Sequence, residues 1–116
     1  MPALNRSLVL AANEARAELI YDHMQEEIRH WQAQVGNDEF LVVSATATPD
    51  DVIQVGNISY RNPDLLILEG VDDANQRTRI LAPAGAVQLA MKIVKAQSDG
   101  AGPSVAFQFG GQQDSN

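Results

Sequence analysis

The stretch that decides the fold is Phe40–Ala82, FLVVSATATPDDVIQVGNISYRNPDLLILEGVDDANQRTRILA. It divides into four apolar segments: Phe40–Thr48, Val52–Tyr60, Leu65–Val71 and Thr78–Ala82. The breaks between them are Pro49-Asp50-Asp51, Asn62-Pro63-Asp64 and Asp72-Asp73-Ala74-Asn75. Short runs rich in Val, Ile, Leu and Thr, punctuated by Pro, Asn and Asp, read as a four-stranded antiparallel β-meander. Alternation in the second run sets Val52, Gln54, Gly56, Ile58 and Tyr60 on one face and Ile53, Val55, Asn57 and Ser59 on the other. The third run is apolar on both faces, which suits a central strand covered from both sides. Gly56 and Gly70, inside strands, mark bulges or points of close approach.

Upstream, helical spacing predicts a helix from Asn5 or Ser7 to Gln34, closed by a left-handed residue at Gly36-Asn37. Its main apolar stripe is Leu10, Ala17, Ile20, Tyr21, Met24, Ile28, Trp31 and Val35. A second stripe of Leu8, Ala12, Ala15 and Leu19 lies on the opposing side. A helix with two apolar faces asks for two partners, the sheet and a second copy of the chain, unless the second stripe simply sits at the surface. Downstream, Pro83 stops the fourth strand and opens a closing helix, Ala84–Gln97, with Val87, Ala90, Met91 and Val94 along one side. From Ser98 the composition turns to Gly, Ser, Gln and Asp, which reads as a flexible tail. Within it Val105–Phe109 alternates as a short added edge strand would. The expectation is therefore α+β: helix, meander and helix in a two-layer sandwich over 1–97, followed by the tail 98–116.

The chain has 116 residues, no cysteine and a net charge of −7. That length makes one domain with a core sufficient without staples. Disulfides, thiolate nucleophiles and sulfur-ligated zinc are excluded. Eight basic residues, scattered along an acidic chain, do not make the concentrated face that nucleic acid or anionic membranes require. No apolar run approaches the length of a membrane span, and acidic residues soon follow the N-terminal apolar patch, so neither a span nor a signal peptide is read. A cytoplasmic setting is expected.

Three clusters carry possible chemistry. Glu27 and His30 have the Glu-x-x-His spacing of helical metal sites, and His23 lies seven residues before His30 on the same side. An exposed helix flank is the ordinary home for all three. Asp50, Asp51, Asp72 and Asp73 fall in turns at one end of a meander, where carboxylates can hold a hard cation or meet a basic partner. Aspartate is equally favoured there by its own backbone hydrogen bonding. Arg61, Arg77 and Arg79 lie close enough in the meander to receive an anion, or to pair with Glu69 and neighbouring acids. No nucleophile elbow, phosphate loop or dinucleotide fingerprint occurs, and no cofactor is implied.

The run Ile58-Ser59-Tyr60-Arg61-Asn62-Pro63-Asp64-Leu65-Leu66-Ile67, followed by Glu69-Gly70 and Val87-Gln88-Leu89, resembles a family of small uncharacterised bacterial and phage α+β proteins. Such proteins have a leading helix, a meander with a Tyr-x-Asn-Pro-Asp turn, and a closing helix. The resemblance covers Tyr21–Ala96 and departs where Ala84-Gly85-Ala86 replaces a histidine and polar residues. It implies a fold and a bacterial or phage setting and transfers no site. A looser similarity is to acidic, dimeric type III secretion chaperones, which interrupt their strands with a helix as this chain does not.

Catalysis has little to stand on. The expectation is a non-enzymatic module that self-associates as a homodimer and binds another protein, with Leu8, Ala12, Leu19, Phe107 and Phe109 at the interfaces. The alternative is a metal- or small-ligand-binding protein or enzyme built on His23, Glu27 and His30.

Overall fold

The structure is a computed structural model that describes residues 14–96 and 108–113. It is α+β. Among the described residues one helix, α1 (Arg16–Gln32), packs on a sheet of β1 (Glu39–Thr48), β2 (Asp51–Arg61), β3 (Leu65–Val71), β4 (Arg77–Pro83), β5 (Leu89–Lys95) and β6 (Gln108–Gln112). The spatial order is β4-β3-β2-β1-β5, with β6 beside β2. All neighbours are antiparallel except β6, which runs parallel to β2. The meander β1–β4 is as read from the sequence, but the sheet has six strands rather than four.

The closing helix is not formed. Ala84–Ala86 make a single 3₁₀ turn, and Leu89–Lys95 run as β5 along β1 from Ala45↔Leu89 to Glu39↔Lys95. Leu89, Met91 and Ile93 alternate with Ala90, Lys92 and Val94, so the same residues fit a two-residue period as well as a helical one. The demand of the sheet decides between them. β1 pairs with β2 only from Ser44↔Gln54 to Thr48↔Asp51, which leaves its first half without a partner until β5 supplies one. Beyond that divergence β6 takes the vacated side of β2, pairing with Asn57–Tyr60.

The sheet is curled. The connection from Pro83 to Leu89 contains one 3₁₀ turn and spans about 17 Å at most, yet it joins strands on opposite edges of a five-strand path. Four flat inter-strand gaps would need about 19 Å. Ala84 is buried and Val87 packs on the core, so the crossover and α1 share the concave face.

That face holds the core: Ala17, Tyr21 and Ile28 from α1, against Val43, Ala45, Ile53, Val55, Ile58, Tyr60, Leu66 and Leu68. Each fully buried Ile or Leu side chain here contributes about 1.5–3 kcal/mol relative to exposure. Trp31, expected in the core, is instead 37% exposed at the end of α1. The helix ends at Gln32 by tightening: Gln34 N donates to Trp31 O (2.9 Å) and Val35 N to Gln32 O (3.2 Å). No left-handed residue occurs at Gly36 or Asn37.

Of the two strand glycines, Gly56 marks a bulge and Gly70 a close approach. β2 bulges between Val55 and Asn57, at Gly56, opposite Gly70. A Cβ on Gly70 would lie 1.9 Å from the Gln54 carbonyl oxygen.

Candidate functional site

The turn Tyr60–Asp64, which carries the sequence resemblance, clamps the start of α1. The residue before the helix, Ala15, provides no side-chain cap. Its place is taken from afar: the Asn62 Oδ1 accepts from Glu18 N (3.2 Å), and Pro63 O accepts from Ala17 N (2.9 Å). These bonds satisfy two of the helix's open N–H groups. The Glu18 carboxylate accepts in turn from Asn62 Nδ2 and from the Tyr60 hydroxyl, each at 3.3 Å. Asp64 meets Arg16 Nε at 3.6 Å, and its carbonyl accepts from Ala84 N. The Asn62–Pro63 bond is cis. Burial raises the Tyr60 phenol pKa above its ordinary value, and the Glu18 carboxylate adds in the same direction. Tyr60 is therefore held as a neutral donor. The motif has a structural task, joining the meander to the helix.

β6 is held by the same region. Phe109 meets Tyr21 edge to face at 6.1 Å, Tyr21 lies 4.8 Å from Tyr60, and the Arg29 guanidinium is 5.6 Å above the Phe109 ring. Such contacts each contribute about 0.5–1.5 kcal/mol beyond area burial. Gly111 N donates to the Tyr21 hydroxyl (3.1 Å), and Gln113 N donates to Tyr60 O (2.7 Å). A Cβ on Gly110 would press on Asn57 and Ser59 at about 3 Å, and Gly111 has φ +69°. The Gly110-Gly111 pair, easily passed over as tail composition, is what lets β6 approach β2. Alternation up to Phe109 followed by two glycines was the available signal.

The other residues singled out fall as follows. Arg77 and Arg79 start β4 opposite Val71 and Glu69, whereas Arg61 lies opposite Leu65, which pairs with Pro83 at the far end of β4. Six residues of strand, about 20 Å, separate Arg61 from Arg77, so the three do not converge on one anion. Arg79 pairs with Glu69 at 3.7 Å, exposed on both sides. His23, Glu27 and His30 are exposed on α1, and among the described residues no three His, Cys, Asp or Glu gather as a metal site. Asp72 uses Oδ1 to accept from Ala74 N and Gln76 N, while Asn75 takes the left-handed conformation that closes the turn. Leu19 is exposed on α1; Leu8, Ala12 and Phe107 lie outside the described residues. Phe109 packs within its own molecule.

A cleft of about 300 Å³ opens beside the crossover, between Leu68, Ile80 and Val87, with small residues such as Ala45, Ala82 and Ala86 around it. None of its lining residues titrates. No described helix is long and apolar enough to cross a membrane.

The second, convex face of the sheet is different. Register places Val52, Gln54, Ser44, Phe40 and Val94 on it, and through Gln54↔Val71 also Ile67 and Leu81. Leu81 is 58% exposed beside its β3 partner Ile67, which is only 3% exposed, and Val52, 44% exposed, lies near the other end of β2. Register places Glu69, Arg79 and Lys92 on the same face. Among the described residues no helix lies on this face.

Comparison with protein families, curated proteins and solved structures returns no match, and nothing there bears on the resemblance carried by Ile58–Ile67.

Proposed function

We propose that the protein is a non-enzymatic interaction module that forms a homodimer through the convex face of its sheet and binds a further protein. The observation that carries this reading is that exposed apolar side chains, Leu81 and Val94 and, further along the sheet, Val52, stand on a face where Ile67 and Phe40 are apolar too, among the charged Glu69, Arg79 and Lys92. Apolar sheet surface of this kind is ordinarily covered by a second layer, and a two-fold copy offers a self-complementary one. The acidic charge keeps such a module soluble without bearing on its fold.

Light scattering tests the reading. The unmodified protein at tens of micromolar is expected to have twice the chain mass. The double variant Val52→Glu, Leu81→Glu should be a folded monomer, because two carboxylates cannot be buried unpaired between the sheets. Leu19→Glu, on the outer side of α1, should remain dimeric. A monomeric unmodified protein refutes the reading; dissociation by Leu19→Glu alone moves the interface to the helix.

A further inference from the structure

The sheet has an edge whose chemistry is unlike the rest of the chain. β5 pairs with β1 along its whole length and ends the strand order on that side. Among the described residues its outer row of N–H and C=O groups has no strand beside it. Alongside β5 runs a shallow groove bounded by Trp31 in the last turn of α1, by Gln34 beyond the helix, by Glu39 of β1, and by Met91, Lys92, Ile93 and Val94. The two lysines of this acidic chain, Lys92 and Lys95, both belong to β5. Both are exposed, and neither makes an ion pair among the described residues.

From this juxtaposition we infer that β5 is a docking edge for an extended peptide that alternates apolar residues with carboxylates. The inference rests on the reading of the protein as an interaction module and names a partner class for it. The incoming strand adds to the sheet through main-chain hydrogen bonds, the mode in which edge strands capture extended segments. Side chains then sort by the two-residue period. Those on one face enter the groove against Trp31 and Met91, and those on the other meet Lys92.

The lysines choose between occupants. A second copy paired antiparallel through its own β5 in full-length register sets Lys92 against Lys92, and like charges directly opposite are destabilising. Lysine on an edge guards against indiscriminate strand pairing. Lys95 shares the Met91 face and lies opposite Glu39, so Lys92 is the guard on the other face, and it admits one class, a strand whose carboxylates lie on its side.

Trp31 is the chain's single tryptophan and lines the groove, so its fluorescence reports docking without a label. The probe is a blocked octapeptide of alternating valine and glutamate, titrated to 1 mM. The expected result is a saturable blue shift of Trp31 emission. The shift should be lost with the valine–lysine octapeptide, and lost with a valine–glutamate peptide carrying two prolines, which removes main-chain donors. Lys92→Glu, at an exposed position, should weaken the valine–glutamate peptide at least tenfold with an unchanged far-UV circular dichroism spectrum. No saturation with the valine–glutamate peptide overturns the inference, as does equal binding of the valine–lysine peptide or unaltered affinity in Lys92→Glu. The dimer is read separately by light scattering, so either proposal can fail while the other stands.

Discussion

Gly70→Ala isolates one steric fact. The new methyl group would sit 1.9 Å from the Gln54 carbonyl oxygen, 2.8 Å from its carbon and 3.0 Å from the Val55 Cα. A carbon and an oxygen approach no closer than about 3.3 Å, so β2 and β3 would have to part by more than about 1 Å at this point. The obstacle is backbone, and no rotamer change relieves it. Parting the strands gives up one or two ladder hydrogen bonds beside Val55↔Gly70, at about 1 kcal/mol each. Overpacking strain adds about 1–3 kcal/mol. The smaller conformational freedom of alanine in the unfolded chain returns only about 0.4–1 kcal/mol. The net loss is about 3 kcal/mol, which for a domain near this size lowers the melting temperature by about 10 °C or more. Gly85→Ala is the matched control, because there the methyl group meets the Arg16 guanidinium, the far end of a half-exposed side chain that can swing away. Thermal unfolding followed by circular dichroism should show a large drop for Gly70→Ala and a shift within about 2 °C for Gly85→Ala. Equal melting temperatures for Gly70→Ala and the unmodified protein would refute the close approach of β2 and β3.

Asn62→Ala removes the side-chain cap on Glu18 N and should cost about 1 kcal/mol, read as a lower urea midpoint with unchanged slope. Phe109→Ala empties the space between Tyr21 and Arg29 and should cost about 3 kcal/mol. An unaltered urea midpoint in Phe109→Ala would mean that β6 adds nothing to the folded domain.

The meander was legible because its signals are local: β-branched runs cut by Pro49-Asp50, Asn62-Pro63 and Asp72-Asp73. The burial of Ala17, Tyr21 and Ile28 followed from helical spacing, and the crowding at Gly70 from a glycine inside an apolar strand. What the sequence could not show was decided at long range. The cap on α1 comes from Asn62, 44 residues away from Glu18, and no local pattern signals it. The three arginines look close along the chain, yet the antiparallel register of β2, β3 and β4 sends Arg61 to one end of the sheet and Arg77 to the other. His23, Glu27 and His30 are exposed along α1, but among the described residues no three His, Cys, Asp or Glu gather closely enough to hold a metal ion.

The misread closing helix has a functional consequence. A helix over Ala84–Gln97 was one of two ways to cover the second face of β3, the other being another subunit. Because Leu89–Lys95 joins the sheet as β5, the expected stripe splits: Val87 and Met91 pack on the core, while Ala90 and Val94, with Lys92 between them, extend the convex side beside Ser44, Val42 and Phe40. The same change creates an edge strand where a helix would have left none, and it gathers both lysines on it. One substitution of strand for helix thus produces both surfaces on which the functional proposals stand. The face mixes Phe40, Ile67, Leu81 and Val94 with Glu69, Arg79 and Lys92, and the edge strand brings Lys92 onto that face as well. Val94 and Lys92 share one face of β5, so a second copy packed over Val94 and a peptide whose carboxylates meet Lys92 compete there, while the main-chain edge of β5 lies at the rim of the face. The peptide is therefore expected to weaken the dimer, which light scattering with and without the valine–glutamate peptide reads directly.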